Sequence, residues 1–274
     1  SCKSLTVQDG GTFDGDGNGF EIAGEADGSG ATTNGYAVRF ETDSIIAGTD
    51  TDITMKTGAA TNVLFQPTTG ALRHITISDS STVNIRNVTS ITGNLTINSG
   101  TVLDTTTGNI ALTVTGDVTN AGTLTYNASA VSSRKLISTG TLTGANGGVC
   151  TVTGAGLGET VRTIDLGGTV SGDVDITLTG AGNNRHEDLQ ASGNIRNLIV
   201  NNAAAVIHTG RDTTLDGNLT ITAGTVSTDD GGTSVPLTVA GDVSITGTLT
   251  GNESAIRMGS LTIAAAGTYS ATNQ

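Results

Sequence analysis

Apolar and polar residues alternate along this chain in short runs such as Ile75-Thr76-Ile77, Leu95-Thr96-Ile97, Leu112-Thr113-Val114 and Leu237-Thr238-Val239. A period of two is the pattern of a strand with one buried face, and it predicts a succession of short β-strands. No run carries a 3.6-residue helical period long enough to predict a helix. Gly, Asn and Asp punctuate the runs, and the glycines themselves recur. Gly24, Gly48, Gly70, Gly93, Gly116, Gly140, Gly167, Gly193, Gly217 and Gly241 are separated by 22 to 27 residues. Their surroundings recur as well: Gly93-Asn94-Leu95-Thr96-Ile97 returns as Gly217-Asn218-Leu219-Thr220-Ile221.

Regular repetition of short strands predicts an all-β fold, a parallel β-solenoid with coils of about 23–24 residues. One coil cannot cover its own inward Leu, Ile and Val. Stacking the next coil on it buries them and pairs backbone N–H with C=O in parallel ladders. Gly and Asn suit the corners, where positive φ is needed. The handedness of parallel crossovers favours a right-handed β-helix.

Longer units repeat too. Leu112-Thr113-Val114-Thr115-Gly116-Asp117-Val118 returns as Leu237-Thr238-Val239-Ala240-Gly241-Asp242-Val243, offset by 125 residues, and the Gly93 and Gly217 motifs are offset by 124. This predicts a duplicated multi-coil block, about 70–192 and 193–274, inside a solenoid spanning 70–274. Residues 1–69 differ. The first 52 carry −8 of the total −13 charge, and all four Phe lie at or before Phe65. They are expected to form variant coils on the same scaffold or a small acidic module.

Runs such as "SGNIRNLIVNN", "GNLTINSGTV" and "LTVTGDVTNAGTL" resemble the degenerate β-strand repeats of large secreted bacterial surface proteins and adhesins. The resemblance covers about residues 70–274 and is fainter in 1–25. It implies a parallel β-helix and an extracellular or cell-surface location. It implies no catalytic motif.

Composition narrows the partners. A net charge of −13 with only 12 Lys and Arg argues against nucleic acid. No stretch approaches the roughly 20 apolar residues of a membrane-spanning helix. Trp is absent and Tyr36, Tyr126 and Tyr269 are the only tyrosines, which argues against aromatic sugar platforms. Cys2 and Cys150 are read either as a disulfide of an oxidising compartment or as small buried apolar residues.

One segment has the residue types of a cation site. Asp14-Gly15-Asp16-Gly17-Asn18-Gly19, with Glu25 eleven residues after Asp14, fits the spacing of a calcium loop. Carboxylate and amide oxygens of Asp14, Asp16, Asn18 and Glu25 are the candidate ligands. The flanks are not helical, so an acidic turn between strands is the competing reading. Asp117, Asp173 and Asp242 each lie between Gly and Val and are expected to accept backbone N–H groups in turns. Arg185-His186-Glu187-Asp188 is the densest charged cluster and is expected on a loop. Three scattered histidines have no metal-ligand spacing. No cofactor other than Ca2+ is suggested, and no catalytic residue is assigned.

The function expected is therefore structural and non-enzymatic: a β-solenoid spacer, or the subunit of a surface fibre that self-associates end to end. The alternative is an adhesin segment that binds a surface glycan or protein. A third reading, a β-helix polysaccharide-degrading enzyme, suffers from few and dispersed basic residues.

Overall fold

A computed structural model describes residues 5–8, 10–16, 18–22, 36–40, 45–47, 51–56, 60–64, 70, 72–79, 82–85, 89–106, 109–145, 147–154, 162–180, 185–187, 189, 193–229 and 233–271. Every regular element among them is a β-strand. Nearly all strand pairing is parallel, and the chain winds as a β-solenoid of three faces.

The first face stacks eight strands in chain order: Leu5–Val7, Tyr36–Phe40, Ala60–Leu64, Thr82–Ile85, Val102–Asp104, Thr123–Tyr126, Thr141–Gly144 and Thr169–Gly172. The second runs from Thr89–Ile91 through Leu112–Val114, Ala130–Ser133, Val149–Val152 and Asp175–Thr179 into Asn197–Thr209 and beyond. The third stacks Gly19–Ile22, Asp52–Met55, His74–Ile77, Leu95–Ile97, Asp117–Asn120, Lys135–Ser138 and Ile164–Asp165. Strands before residue 70 thus belong to the same ladders as those after it. Asp52–Met55, for example, pairs in parallel with His74–Ile77.

Coil length centres on the expected value but is not constant. Val118 pairs with Leu136, 18 residues on, and Leu136 pairs with Ile164, 28 residues on. The first coil is longest, with Leu5 paired to Val38. Such variation costs little, because an inserted residue at a corner leaves the strands in register and the ladder intact.

The interior is a column of aliphatic side chains. Ile77, Ile97, Leu112, Val118, Leu124, Leu142, Ile176, Leu198, Leu219 and Ile245 are each at most 1% exposed. Burying such a side chain contributes about 1.5–3 kcal/mol relative to leaving it in water. Outward positions are mostly hydroxylated, and the second face carries an unbroken rank of register partners: Ser90, Thr113, Ser132, Thr151, Thr177, Ile199, Thr220, Ser244 and Thr262.

The duplicated block does not sit where its sequence would place it. In the first copy Leu95–Ile97 lies on the third face. In the second copy Leu219–Ile221 pairs with Leu198–Val200, which continues the second face through Ile176–Leu178 and Cys150–Val152. The copies are therefore displaced by one strand, a third of a coil. The tight Gly-Asp corner, which lies between the second and third faces at Gly116-Asp117, lies at Gly241-Asp242 between the column of Thr213–Leu215 and the second face. The three faces accept the same inward aliphatic residues, so a block can dock one face out of phase without loss of burial.

Candidate functional site

Polar chemistry in this molecule is concentrated along the tight corner. In several coils the strand there opens with a polar residue that reaches the backbone of the next coil. Asn94 Oδ1 accepts the Asp117 N–H at 3.0 Å, Asn197 Oδ1 accepts the Asn218 N–H at 2.8 Å, and Asn218 Oδ1 accepts the Asp242 N–H at 2.8 Å. His74 Nδ1 accepts the Asn94 N–H at 2.8 Å. The preceding glycine is required by space. A Cβ on Gly116 or Gly241 would fall well inside contact with the Asn94 or Asn218 side-chain oxygen. The recurring Gly-Asn and Gly-Asp dipeptides are thus the two halves of one device: a glycine that makes room and an amide that fills it.

Arginines bind the same corner electrostatically. Arg73 holds both oxygens of Asp52 at 2.8 and 2.7 Å, and Arg196 holds Asp175 as a fork while its third nitrogen reaches Asp173 at 2.9 Å. Arg134 Nε donates to Asp117 Oδ1 at 2.7 Å. Such bidentate pairs are the geometrically strong form of a charge-assisted bond. The Arg73 hydrogen bonds hold the Asp52 carboxyl below its ordinary range, and the Asp117 and Asp175 carboxylates raise Arg134 and Arg196. The expectation for Asp117, Asp173 and Asp242 needs correction. Among the described residues their carboxylates take Arg134, Arg196 and the Ser260 hydroxyl from the next coil, rather than backbone N–H groups. The Asn amides already satisfy those N–H groups at Asp117 and Asp242.

The Asp14 segment is a compact turn after the strand Thr12–Asp14. Asp14 Oδ1 accepts the Asp16 N–H at 2.9 Å, the Asn18 N–H donates to Gly15 O at 2.8 Å, and Asn18 Nδ2 donates to Asp16 O at 3.1 Å. Asp16 adopts a left-handed φ of 45°. Asp14, Asp16 and Asn18 are all exposed, and Glu25 lies outside the described residues. Among the described residues, no three His, Cys, Asp or Glu groups converge in a way that could hold a metal ion.

Arg185–Glu187 forms a short strand paired in parallel with Ile207–Thr209, not the loop expected; Asp188 lies outside the described residues. Cys150 faces inward between its register partners Val131 and Ile176 and is free. Burial pushes its thiol up to about 12, so it behaves as a small apolar residue. Cys2 lies outside the described residues. Tyr126 was not singled out by sequence reasoning, yet it is fully buried and its hydroxyl has no hydrogen-bond partner.

The last coil differs from all those beneath it. Leu261 and Ile263 pair with Val243 and Ile245, which are 0% exposed, but are themselves 39% and 45% exposed. Ile256, Met258 and Tyr269 of the same coil are half-buried. At the opposite end, Phe13 and Phe20 are half-buried and meet edge to face with centroids 4.9 Å apart. No family model matches the chain, and neither does any curated protein or solved structure.

Proposed function

We propose that the chain is an extracellular structural protein, a β-solenoid that serves as a spacer or as the subunit of a surface fibre assembling end to end. The observation that carries this reading is the uninterrupted stack of coils, joined by parallel ladders on three faces over one aliphatic interior. A coil with Leu261 and Ile263 at 39% and 45% exposure presents the same inward pattern that every lower coil uses to bind its neighbour. Charged groups support the reading in a second way. On the tight corner they join coil to coil in pairs such as Asp52 with Arg73 and Asp175 with Arg196, which holds the rod together. The resemblance of its repeats to secreted bacterial surface proteins agrees with a rod displayed outside the cell.

Negative-stain electron microscopy over a concentration series, with and without calcium, tests the reading. Fibres of uniform width, lengthening with concentration, are expected. Single short rods at every concentration would overturn the fibre subunit and leave the spacer. A calcium requirement for fibre growth would assign Asp14, Asp16, Asn18 and Glu25 as ligands.

A further inference from the structure

The hydroxylated rank of the second face is broken partway along the rod. Ile199 stands where its register partners Thr177 and Thr220 carry hydroxyls, and its side chain is left in water at 38% exposure. The neighbouring rank changes over the same coils. Val149 pairs with Asp175 and Asp175 with Asn197, and Asn218 precedes Leu219, the partner of Leu198. Between the two ranks lies a depression of about 220 Å3, lined by Asp175, Thr177, Asn197, Ile199, Asn218 and Thr220.

Its polar groups are held in place by the fold. Asp175 Oδ1 accepts Arg196 Nε at 2.8 Å and Asn197 Nδ2 at 2.9 Å. The Asn197 and Asn218 side-chain oxygens are fixed by N–H groups of the next coil, which leaves the amide nitrogens as the donors. Among the described residues, Asn218 Nδ2 and the hydroxyls of Thr177 and Thr220 have no hydrogen-bond partner. Charge at the rim is nearly balanced, because Arg196 answers Asp175 and reaches Asp173 as well, and the three groups sum to −1. A fixed set of donors and acceptors around an aliphatic patch in a concave site is the general form of a small-molecule site.

We infer that this depression binds one neutral hexose unit of a polysaccharide, with the C–H face of the ring on Ile199 and its hydroxyls on Thr177, Asn218 and Thr220. The inference goes beyond the structural role and holds for a spacer or a fibre alike. A hexose combines in one body a face of C–H groups and a rim of hydroxyls that both donate and accept. Thr177 and Thr220 stand two coils apart, about 9.6 Å, and a ring with a hydrogen bond at each edge bridges them over Ile199. The Asn218 amide supplies a donor that a sugar oxygen accepts. The net negative rim, in a chain of charge −13, turns away uronates and other anions. The ends of the depression open along the sheet, so neighbouring units of a polysaccharide can run on over the Ser and Thr rank. Ile199 takes the part that an aromatic platform plays elsewhere, and a site of this size with no ring to stack on binds a single unit weakly, with a Kd on the order of 1 mM.

Titration followed by NMR tests the site. The intact chain, labelled at isoleucine methyl groups and at amides, is titrated with the methyl glycosides of glucose, galactose and mannose to about 50 mM, well above the Kd expected. At least one is expected to shift the Ile199 methyl and the Asn218 side-chain N–H2 signals together. Methyl glucuronide is expected to leave them in place. Ile199→Thr restores the hydroxylated rank at an exposed position, so it should fold as the parent does by circular dichroism and bind at least fivefold more weakly. Thr220→Val, which keeps the shape and removes the hydroxyl, should weaken binding without moving the Ile199 signal of the free protein. Gels containing dextran, galactan or mannan should retard the parent and not Ile199→Thr. No shift with any of the three glycosides, or equal binding by folded Ile199→Thr, would overturn the site. Tighter binding of the glucuronide would overturn the neutral class, and glycoside binding without retardation would replace the polysaccharide with a free sugar.

Discussion

Replacing Gly241 with alanine is the sharpest perturbation of the corner device. A Cβ at that position would collide with Asn218 Oδ1 and come within 2.8 Å of the Gly217 carbonyl oxygen. Gly241 is not among the positive-φ glycines, so the cost comes from contact rather than from backbone strain. Pushing the Asn218 amide aside breaks its bond to the Asp242 N–H, a loss of about 1 kcal/mol. Overpacking against the carbonyl adds about 1–3 kcal/mol. The stiffer unfolded chain of the alanine variant returns about 0.4–1 kcal/mol. A net loss of about 1–3.5 kcal/mol is expected. Asn218→Ala alone costs about 1 kcal/mol through the lost hydrogen bond. In the double variant that bond is already gone and the amide is no longer in the way, so the losses overlap by about 1 kcal/mol. Urea unfolding followed by circular dichroism measures the cycle, and amide exchange at Asp242 reports the bond directly. Gly241→Ala at or above the stability of the parent, or strict additivity in the double variant, would refute the account. Gly116→Ala, set against Asn94 in the same geometry, repeats the test at an independent corner.

Four further outcomes are expected. Leu219→Ala, at a fully buried position, costs about 2–5 kcal/mol in thermal or urea unfolding, whereas Leu261→Ala barely changes the stability of single rods yet slows their elongation. Tyr126→Phe stabilises the protein by about 1–3 kcal/mol in urea unfolding, because it removes a buried hydroxyl with no partner. Asp52 is held below the ordinary aspartate value of about 3.9 by Arg73, so its contribution is complete above that pH and is lost as pH falls through the lower folded value; Asp52→Asn should flatten the acid limb of the stability profile. In a Cys2→Ser background, Cys150 should resist a thiol reagent at neutral pH until the protein is unfolded, and rapid labelling of the folded form would contradict its burial.

Much of the architecture is legible in the sequence. Period-two runs such as Leu95-Thr96-Ile97 gave strands because each faces an aliphatic interior on one side and water on the other. The glycine spacing marks the coil because several of those glycines, such as Gly93, Gly116, Gly217 and Gly241, sit at corners where a Cβ would collide with the neighbouring coil. Phase escaped the sequence for a physical reason. The duplicated motifs look equivalent, and each is satisfied equally well on any face, so nothing local distinguishes Leu95 on the third face from Leu219 on the second. The coil-to-coil ion pairs escaped as well. Arg73 and Asp52 are 21 residues apart, and only the register of a specific coil brings them together. The long glycine interval from 167 to 193 suggests a loop at Arg185–Glu187, whereas the ladder to Ile207–Thr209 needs only the backbone.

The displaced second block also says how such a molecule can lengthen. Were the whole coil the indivisible part, an insertion would have to measure a full circuit to keep every side chain on its own side. Here the indivisible part is smaller, a strand with the bend that follows it. Genes encoding such rods can gain or lose material in units of about a third of a circuit, and the tight seam of amides and arginines simply resumes along a different edge. A rod built this way changes which edge it shows to its surroundings partway along its length, without any change in the residues that hold it together.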